Sequence, residues 1–376
     1  MTILHRLHQH IHPNIIPKEN LTRPLVSVFI PSYNMAAFLP QAIASVLAQS
    51  YPHYELIVIN DGSTDETATV LQSYSHHSRI TIQHNPINLG MAATWNVGLQ
   101  LCRGEFIAKL DADDYYEPDY LSHMVATFEQ DNDIGLVFSG VNLIYPNARV
   151  EPEVPFLQSW VRSRAEFLPV LLRLCVIRSP SVCVRRGCYE LLGHFTPSMQ
   201  IHTDWEMWVR IAARYLVGFV NQPLANYRVS YGANCTAQAA VDGRSMADLR
   251  VWLNLLAQDA LPYRLTATEE TIFRRGMYEL EMHFAGVATY YHHDEPMQQA
   301  YATFAEEVLG EAAENRYVYL NLQQGICAFR EQQFIEARHF FWQAIKLNPT
   351  ACTAPWIWSK LLLTFIGRTK WGLWYK

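Results

Sequence analysis

Four short apolar runs separated by amphipathic stretches constrain this chain more than any other feature, because few sheet types accommodate them. Leu25 to Pro31 and Leu56 to Ile59 are continuous β-branched and leucine runs, the pattern of strands buried on both faces. Ile80 to Gln83 and Phe106 to Leu110 complete the set. Between the first two, Phe38, Leu39, Ala42, Ile43, Val46 and Leu47 recur at three- and four-residue spacing, which predicts a helix ending at the Ser50-Tyr51-Pro52 break. Met91 to Cys102 predicts another. Strands alternating with helices imply an α/β, Rossmann-like fold with a mostly parallel sheet, whose ligands bind beyond the carboxyl ends of the strands. Three polar clusters lie at such ends: Ser32-Tyr33-Asn34, Asp61-Gly62-Ser63 and Asp111-Ala112-Asp113-Asp114.

The chain is 376 residues long, more than the usual domain of about 100 to 200 residues, so two domains are expected. Half its residues are hydrophobic and its net charge is -6, which argues for a globular protein and against binding along a nucleic acid. Seven cysteines form neither a Cys-x-x-Cys pair nor a zinc spacing, as expected of reduced thiols in a cytoplasmic protein. The first 24 residues carry scattered histidines (His5, His8, His10, His12) and lack the apolar run of a signal peptide; they read as a solvated tail.

Beyond a strand at Ile134 to Ser139, Pro146, Pro152 and Pro155 mark an extended excursion. Ser181 to Arg185 reads as a strand and Asp204 to Tyr215 as a helix, with Trp208 on its core side. From about residue 236 to 355 the pattern is helical. There Gly325, Ala337, Phe341, Ala344 and Pro349 match the spacing of one tetratricopeptide-like unit near 318–351, although Ala328 stands where tyrosine is usual. Met282 to Leu309 reads as a helical hairpin. The segment 356–376 mixes Trp356, Trp358, Phe365 and Trp371 with Lys360, Arg368 and Lys370; it suits either an interfacial helix on anionic lipid or packing on the preceding helices.

Asp111 and Asp113, two apart at a strand end, point the same way and outline a site for a hard divalent ion, Mn2+ or Mg2+, held by one or two carboxylates plus phosphate and water. An acidic turn capping the next helix needs only one of them. Three acids together repel unless a cation is present. Asp61 and Ser63 offer polar contacts, and Gly62 lets backbone approach a ligand. Alone, Asp61 reads equally well as a helix cap. Tyr33 and Asn34 suit ring packing and hydrogen bonding with a planar base.

Val26 to Asn34, Asn60 to Asp65, Asn88-Leu89-Gly90 with Trp95 to Gly98, and Arg103-Gly104-Glu105-Phe106 leading into Leu110 to Asp114 follow one another over about 90 residues. In order and spacing they resemble the family 2 glycosyltransferases of the GT-A fold, bacterial enzymes that build surface polysaccharides. The resemblance extends to about residue 235, so a catalytic domain over 25–235 is expected. It implies donor nucleotide contacts at Pro31, Ser32, Tyr33, Asn34, Asp61, Gly62 and Ser63, and a metal motif at Asp111-Ala112-Asp113 with Asp113 the direct ligand. It also implies inverting transfer from a nucleotide-sugar, UDP favoured, to a hydroxyl of a glycan or lipid-linked acceptor.

Thr203-Asp204-Trp205-Glu206-Met207-Trp208 resembles the family's Glu-Asp-Trp-x-x-Trp block, which makes Asp204 the expected general base and places Trp205 and Glu206 at the acceptor. Without that resemblance, capping by Asp204 or Thr203 is the simpler account. Thr203 replaces the family's common glutamate. Tyr227-Arg228-Val229-Ser230 departs from Tyr-Arg-x-His at Ser230, leaving Arg228 as either a phosphate contact or a structural ion pair. Trp95 stands where many relatives carry arginine.

A nucleotidyltransferase is disfavoured because Pro31-Ser32-Tyr33-Asn34 lacks a Gly-rich basic loop, and a dinucleotide oxidoreductase because no Gly-x-Gly-x-x-Gly follows the first strand. An inactive scaffold whose helical region binds a partner, or a second copy of the chain, is the reading from a different class.

Overall fold

The computed structural model describes residues 23–229, 242–292, 295–309, 316–330 and 333–347. The expected alternation is present as β1 (Val26–Ser32), α1 (Leu39–Leu47), β2 (Tyr54–Asp61), α2 (Thr67–Gln72), β3 (Ile80–Asn85), α3 (Met91–Leu101) and β4 (Phe106–Lys109). There follow β5 (Tyr115–Tyr116), α4 (Tyr120–Phe128), β6 (Ile134–Ile144), β7 (Val150–Glu153), β8 (Trp160–Arg162), α5 (Arg164–Arg173), β9 (Val182–Arg185), α6 (Arg186–Leu192), α7 (Thr203–Ala212) and β10 (Leu216–Arg228). All ten strands join one sheet whose main path runs β3-β2-β1-β4-β9-β6-β10-β5. The β3-β2-β1-β4 half is parallel, and antiparallel β9 joins it to the parallel pair β6 and β10.

Period-two alternation sends successive side chains to opposite faces. Phe29, Ile57, Ile59, Ile107 and Phe138 enter one core, which α3, α5 and α7 cover through Trp95, Phe167, Leu171 and Trp208. Val28, Ile30, Leu56, Val58 and Ala108 enter the other, beneath Leu39, Ile43 and Val46 of α1 and Leu121 and Met124 of α4. Every residue of β2 is buried, as its continuous apolar run requires.

Three elements lie where sequence pattern gives only an excursion or nothing. α5 opens with a reciprocal capping box between Ser163 and Glu166. β7 accepts Pro152 because it is short and pairs only with β6. The 13-residue strand β10 includes Pro223, and its register against β6 shifts on both sides of that proline.

The described residues beyond 242 are helical: α8 (Arg244–Ala257), α9 (Ala267–His292), α10 (Glu295–Leu309), α11 (Arg316–Arg330) and α12 (Phe334–Leu347). They are not a separate body from the start. Leu249 and Trp252 of α8, Phe273 and Met277 of α9, and Phe304 and Val308 of α10 share the core built on Phe138 and Trp208. The expected boundary at 235/236 lies outside the described residues, and the described helices beyond it pack on the same core as the sheet. α11 and α12 form their own small cluster; a Cβ on Gly325 would lie 2.8 Å from the Phe341 ring, so that glycine lets the two helices meet. Pro349, the N-terminal histidines and the 356–376 segment lie outside the described residues. No helix among the described residues is long and apolar enough to cross a membrane.

Candidate active site

The three strand-end loops close on one another at the carboxyl edge of β1, β2 and β4. Asn34, in the left-handed region at φ 55°, accepts hydrogen bonds through its Oδ1 from the backbone of Thr64 at 2.8 Å and Asp65 at 3.3 Å. Its own N–H donates to Ser63 Oγ at 3.0 Å. Asn34 Oδ1 therefore ties the β1 loop to the β2 loop. Tyr33 beside it is 43% exposed, so its ring is open to a ligand. Pro31 is half-buried, while Ser32 is buried with a hydroxyl that has no partner.

Asp61 caps neither α2 nor an empty loop. Its carboxylate accepts from Asn85 Nδ2 at 2.8 Å, Leu89 N at 3.0 Å and Gly90 N at 3.2 Å, fixing the loop that opens α3. Gly62, at φ +67°, passes so close to that loop that a Cβ would lie 2.5 Å from the Ile87 carbonyl carbon. The N-cap of α2 is Glu66, without a side-chain bond, and Asp65 before it accepts from Thr67 N and Oγ1 at 3.0 and 2.6 Å.

At the end of β4 the acids separate by environment. Asp114 is 1% exposed and accepts the Arg228 backbone N–H at 2.8 Å, so it faces the interior. Asp111 and Asp113 remain half-buried at the surface of the loop, and Ala112 packs inward. Burial and then Asp111 raise the Asp113 carboxyl, and burial, Asp113 and Asp111 raise Asp114 well above the usual range.

One cation answers this charge from below: Lys109, 3% exposed, donates to Asp111 Oδ1 and to Ser179 Oγ, both at 2.6 Å. Its ammonium lies 4.2 Å from the Trp95 ring centroid. Sequence reasoning passed over Lys109, whose signal was a charge inside the otherwise apolar Phe106 to Leu110 run. Trp95 is buried against Phe195.

Arg228 closes the opposite side. Its guanidinium donates to the Asp113 carbonyl and to Gln41 Oε1 and lies over the rings of Phe38 and Tyr115 at 5.0 and 5.2 Å. Among the described residues no carboxylate forms an ion pair with it. Ser230 lies outside the described residues.

Asp204 enters from the first turn of α7. Its Oδ1 accepts the Trp205 N–H at 2.7 Å, and burial pushes its carboxyl up to about 6, with Lys109 opposing the shift and Asp111 adding to it. Asp204 thus shares the field of the β4 acids. The helix cap position is held by His202 without a side-chain bond, and Thr203 is buried with an unpartnered hydroxyl.

The acceptor residues expected beside Asp204 are corrected. Trp205 is 3% exposed, donates its Nε1–H to the Leu171 carbonyl at 2.7 Å and packs edge-on against Trp252, which leaves no face for a sugar. Glu206 is fully buried in an ion pair with Arg210, whose Nη1 also donates to the Leu192 and His194 carbonyls at 3.0 Å. Trp208 is core, as expected.

Asp111 and Asp113 fit a divalent cation, being two hard carboxylate donors close enough that the Asp111 charge adds to burial in raising the Asp113 carboxyl. Among the described residues no group of three or more His, Cys, Asp or Glu could hold a metal by itself, so an ion on these two carboxylates would take its other oxygens from phosphate or water.

Residues 27–161 match the family model described as glycosyl transferase family 2. An uncharacterized glycosyltransferase of Rickettsia prowazekii is 29% identical over 218 residues, 56% of this chain and 66% of that protein. Chondroitin synthase of Escherichia coli is 35% identical over 220 residues, again 56% of this chain but 30% of the synthase. The chain therefore spans just under two thirds of the one relative and less than a third of the other. Among solved structures, S. aureus TarS 1-349 superposes with a TM-score of 0.54 at 16% identity, covering 81% of this chain and 91% of that one. A mannosyltransferase from Pyrobaculum calidifontis, solved with GDP-Man and Mn2+, gives 0.52 at 16% identity, covering 92% and 86%. These two share the fold. With the strand-end loops assembled as the motif order requires and the family model matched across them, the chain carries a glycosyl transferase family 2 region over residues 27–161.

Proposed function

We propose that the chain is an inverting, metal-dependent glycosyltransferase that moves a sugar from a nucleotide diphosphate donor, UDP favoured, to a hydroxyl of a glycan or lipid-linked acceptor in polysaccharide synthesis. The observation that carries this reading is the placing of Asp111 and Asp113 at the end of β4, with Lys109 bonded to Asp111 at 2.6 Å and the Asn34 and Asp61 loops tied at the ends of the neighbouring parallel strands β1 and β2. The exposed Tyr33 ring and the neighbouring half-buried Pro31 offer the nucleobase a flat apolar face, with the Asp61-Gly62-Ser63 loop as its floor. Arg228, in no ion pair with a carboxylate among the described residues, is a cation available to the diphosphate.

Asp111 and Asp113 would hold Mn2+ or Mg2+, which when bound offsets charge on the leaving diphosphate. Lys109, paired with Asp111 at 2.6 Å, orients that carboxylate for the task. Asp204, raised to about 6, is ionised at neutral pH yet basic enough to take the proton of an acceptor hydroxyl as its oxygen attacks the anomeric carbon. Attack from the side opposite the diphosphate inverts that carbon. The relatives' names fit the acceptor class, since chondroitin synthase is a polysaccharide synthase.

A thermal-shift panel of UDP-, GDP- and dTDP-sugars, each with and without Mn2+, tests the donor site. Stabilisation by one nucleotide class, dependent on Mn2+ and lost in Asp113→Asn, is the expected result. If no nucleotide moves the melting point with any metal, the proposal is wrong.

A further inference from the structure

The turn that precedes Asp204 is held by the helical region and not by the sheet. Asp248, on α8 and 1% exposed, accepts three successive backbone N–H groups with its carboxylate. Gln200 N lies 2.9 Å from both oxygens, and Ile201 N and His202 N lie 2.5 and 2.8 Å from Oδ2. These are the residues immediately before Thr203 and Asp204. A second tie runs from the side chain of His202, whose Nε2 lies 2.8 Å from Ser245 Oγ on α8. Ser245 in turn donates to Glu281 Oε1 on α9 at 2.6 Å. All four side chains are buried, and the aromatic contact of Trp205 with Trp252 of α8 closes the same joint at 5.3 Å.

We infer that Asp248 is a positioning residue for the transfer reaction: the helical region sets where the candidate base stands, through a carboxylate clamp on residues 200–202. The inference rests on the reading of Asp204 as the base. Its physical content is that three N–H groups focused on one buried carboxylate define the entry path of α7, while the Trp205 bond to Leu171 of α5 anchors the turn after it and Asp204 itself bonds to its neighbour Trp205. A clamp of this kind matters because misplacing a reacting group by about 1 Å costs up to about a hundredfold in rate. The dense hydrogen bonding of Asp248 has no other evident use, since it contacts neither the acids of β4 nor Arg228.

The test compares the full chain with Asp248→Asn and Asp204→Asn. Turnover is read as nucleoside diphosphate release from UDP-glucose, UDP-N-acetylglucosamine and GDP-mannose with Mn2+, and backbone hydrogen exchange is followed over 199–206. In Asp248→Asn, exchange over 199–206 is expected to rise about tenfold or more while the donor KM stays within about twofold and kcat falls about tenfold. Unchanged exchange there, or faster exchange with unchanged kcat, overturns the inference. So does a loss that follows only the fraction of folded protein, with exchange raised equally along the chain. Should Asp248→Asn fail to fold, Glu281→Gln weakens the second tie without changing shape, and the same pattern at smaller amplitude is required of it. Full turnover in Asp204→Asn removes the base reading and this inference together; loss in Asp204→Asn with an unaltered Asp248→Asn removes this inference alone.

Discussion

Asp204, half-buried, and Lys109, buried, are charged groups drawn out of bulk water, and each has a measurable cost. A carboxyl raised from 3.8 to about 6 binds its proton more tightly folded than unfolded, so the folded state loses stability as pH rises from about 4 through 6. Replacing Asp204 by Asn removes that charge. The variant should melt several degrees higher at pH 7.5, corresponding to about 1 to 3 kcal/mol, while kcat falls by about a hundredfold or more and donor KM stays within about twofold. In the parent enzyme kcat should rise with unit slope up to a pH near 6 and then level off, because only the ionised base accepts a proton. A kcat profile flat from pH 5 to 8 would count against Asp204. Lys109→Met strips Asp111 of its buried partner and should cost about 3 kcal/mol in urea unfolding. Mn2+ should restore more stability to that variant than to the parent, since the metal supplies the missing positive charge. At this scale the sequence was readable wherever a residue type stood out by its place, as with Asp111 and Asp113 after an apolar strand. It was not readable for Trp205 and Glu206, because a motif written along one helix cannot tell which of its faces the α8 and α6 sides will bury.

Elements make the site by bringing loops, more than strands, into register. The first four strands and the helices between them follow directly from apolar runs and helical spacing, because local pattern and burial agree there. β10 does not announce itself: Asn221, Gln222 and Pro223 interrupt it, and only pairing with β6, β8 and β5 keeps it a strand. α5 was signalled by Ser163 and Glu166, but the prolines before it gave the opposite impression. The β2 loop is the most sensitive joint. Gly62 combines a left-handed φ with backbone of the next loop 2.5 Å from any added Cβ, and that atom cannot move without breaking the Leu89 and Gly90 bonds to Asp61. Gly62→Ala should therefore lose at least about 2 kcal/mol, and nucleotide affinity should fall with it even in the fraction that folds. Isothermal titration with UDP and Mn2+ checks this; parent-like affinity would mean the β2 loop is not part of the donor site.

On the scale of the whole molecule, the α/β sheet and the helices that follow are one folding unit as far as α10, because a single apolar core runs through both. Trp252 and Phe273 are fully buried against Trp205 and one another, at ring separations of 5.3 and 4.6 Å. Leu249 and Met277 are buried beside them. A chain cut after residue 235 exposes the other side of every one of these contacts and leaves the N–H groups of 200–202 without their acceptor. Uncovering four large side chains' worth of core costs about 6 to 12 kcal/mol, which rivals the about 5 to 15 kcal/mol that holds a typical domain folded. Residues 1–235 alone should accordingly be insoluble or bind a hydrophobic dye strongly, despite containing the entire family match. A cut after residue 309 behaves differently. α11 and α12 bury their own cluster around Phe341 and Ala344 and meet the rest through α9, chiefly where Leu320 joins Tyr278 and Tyr301. That truncation should stay soluble, shift the melting point by no more than a few degrees, and retain nucleotide-dependent stabilisation. If instead 1–235 folds and binds nucleotide as well as the full chain, the helices are an appendage and the shared core has no part in building the site.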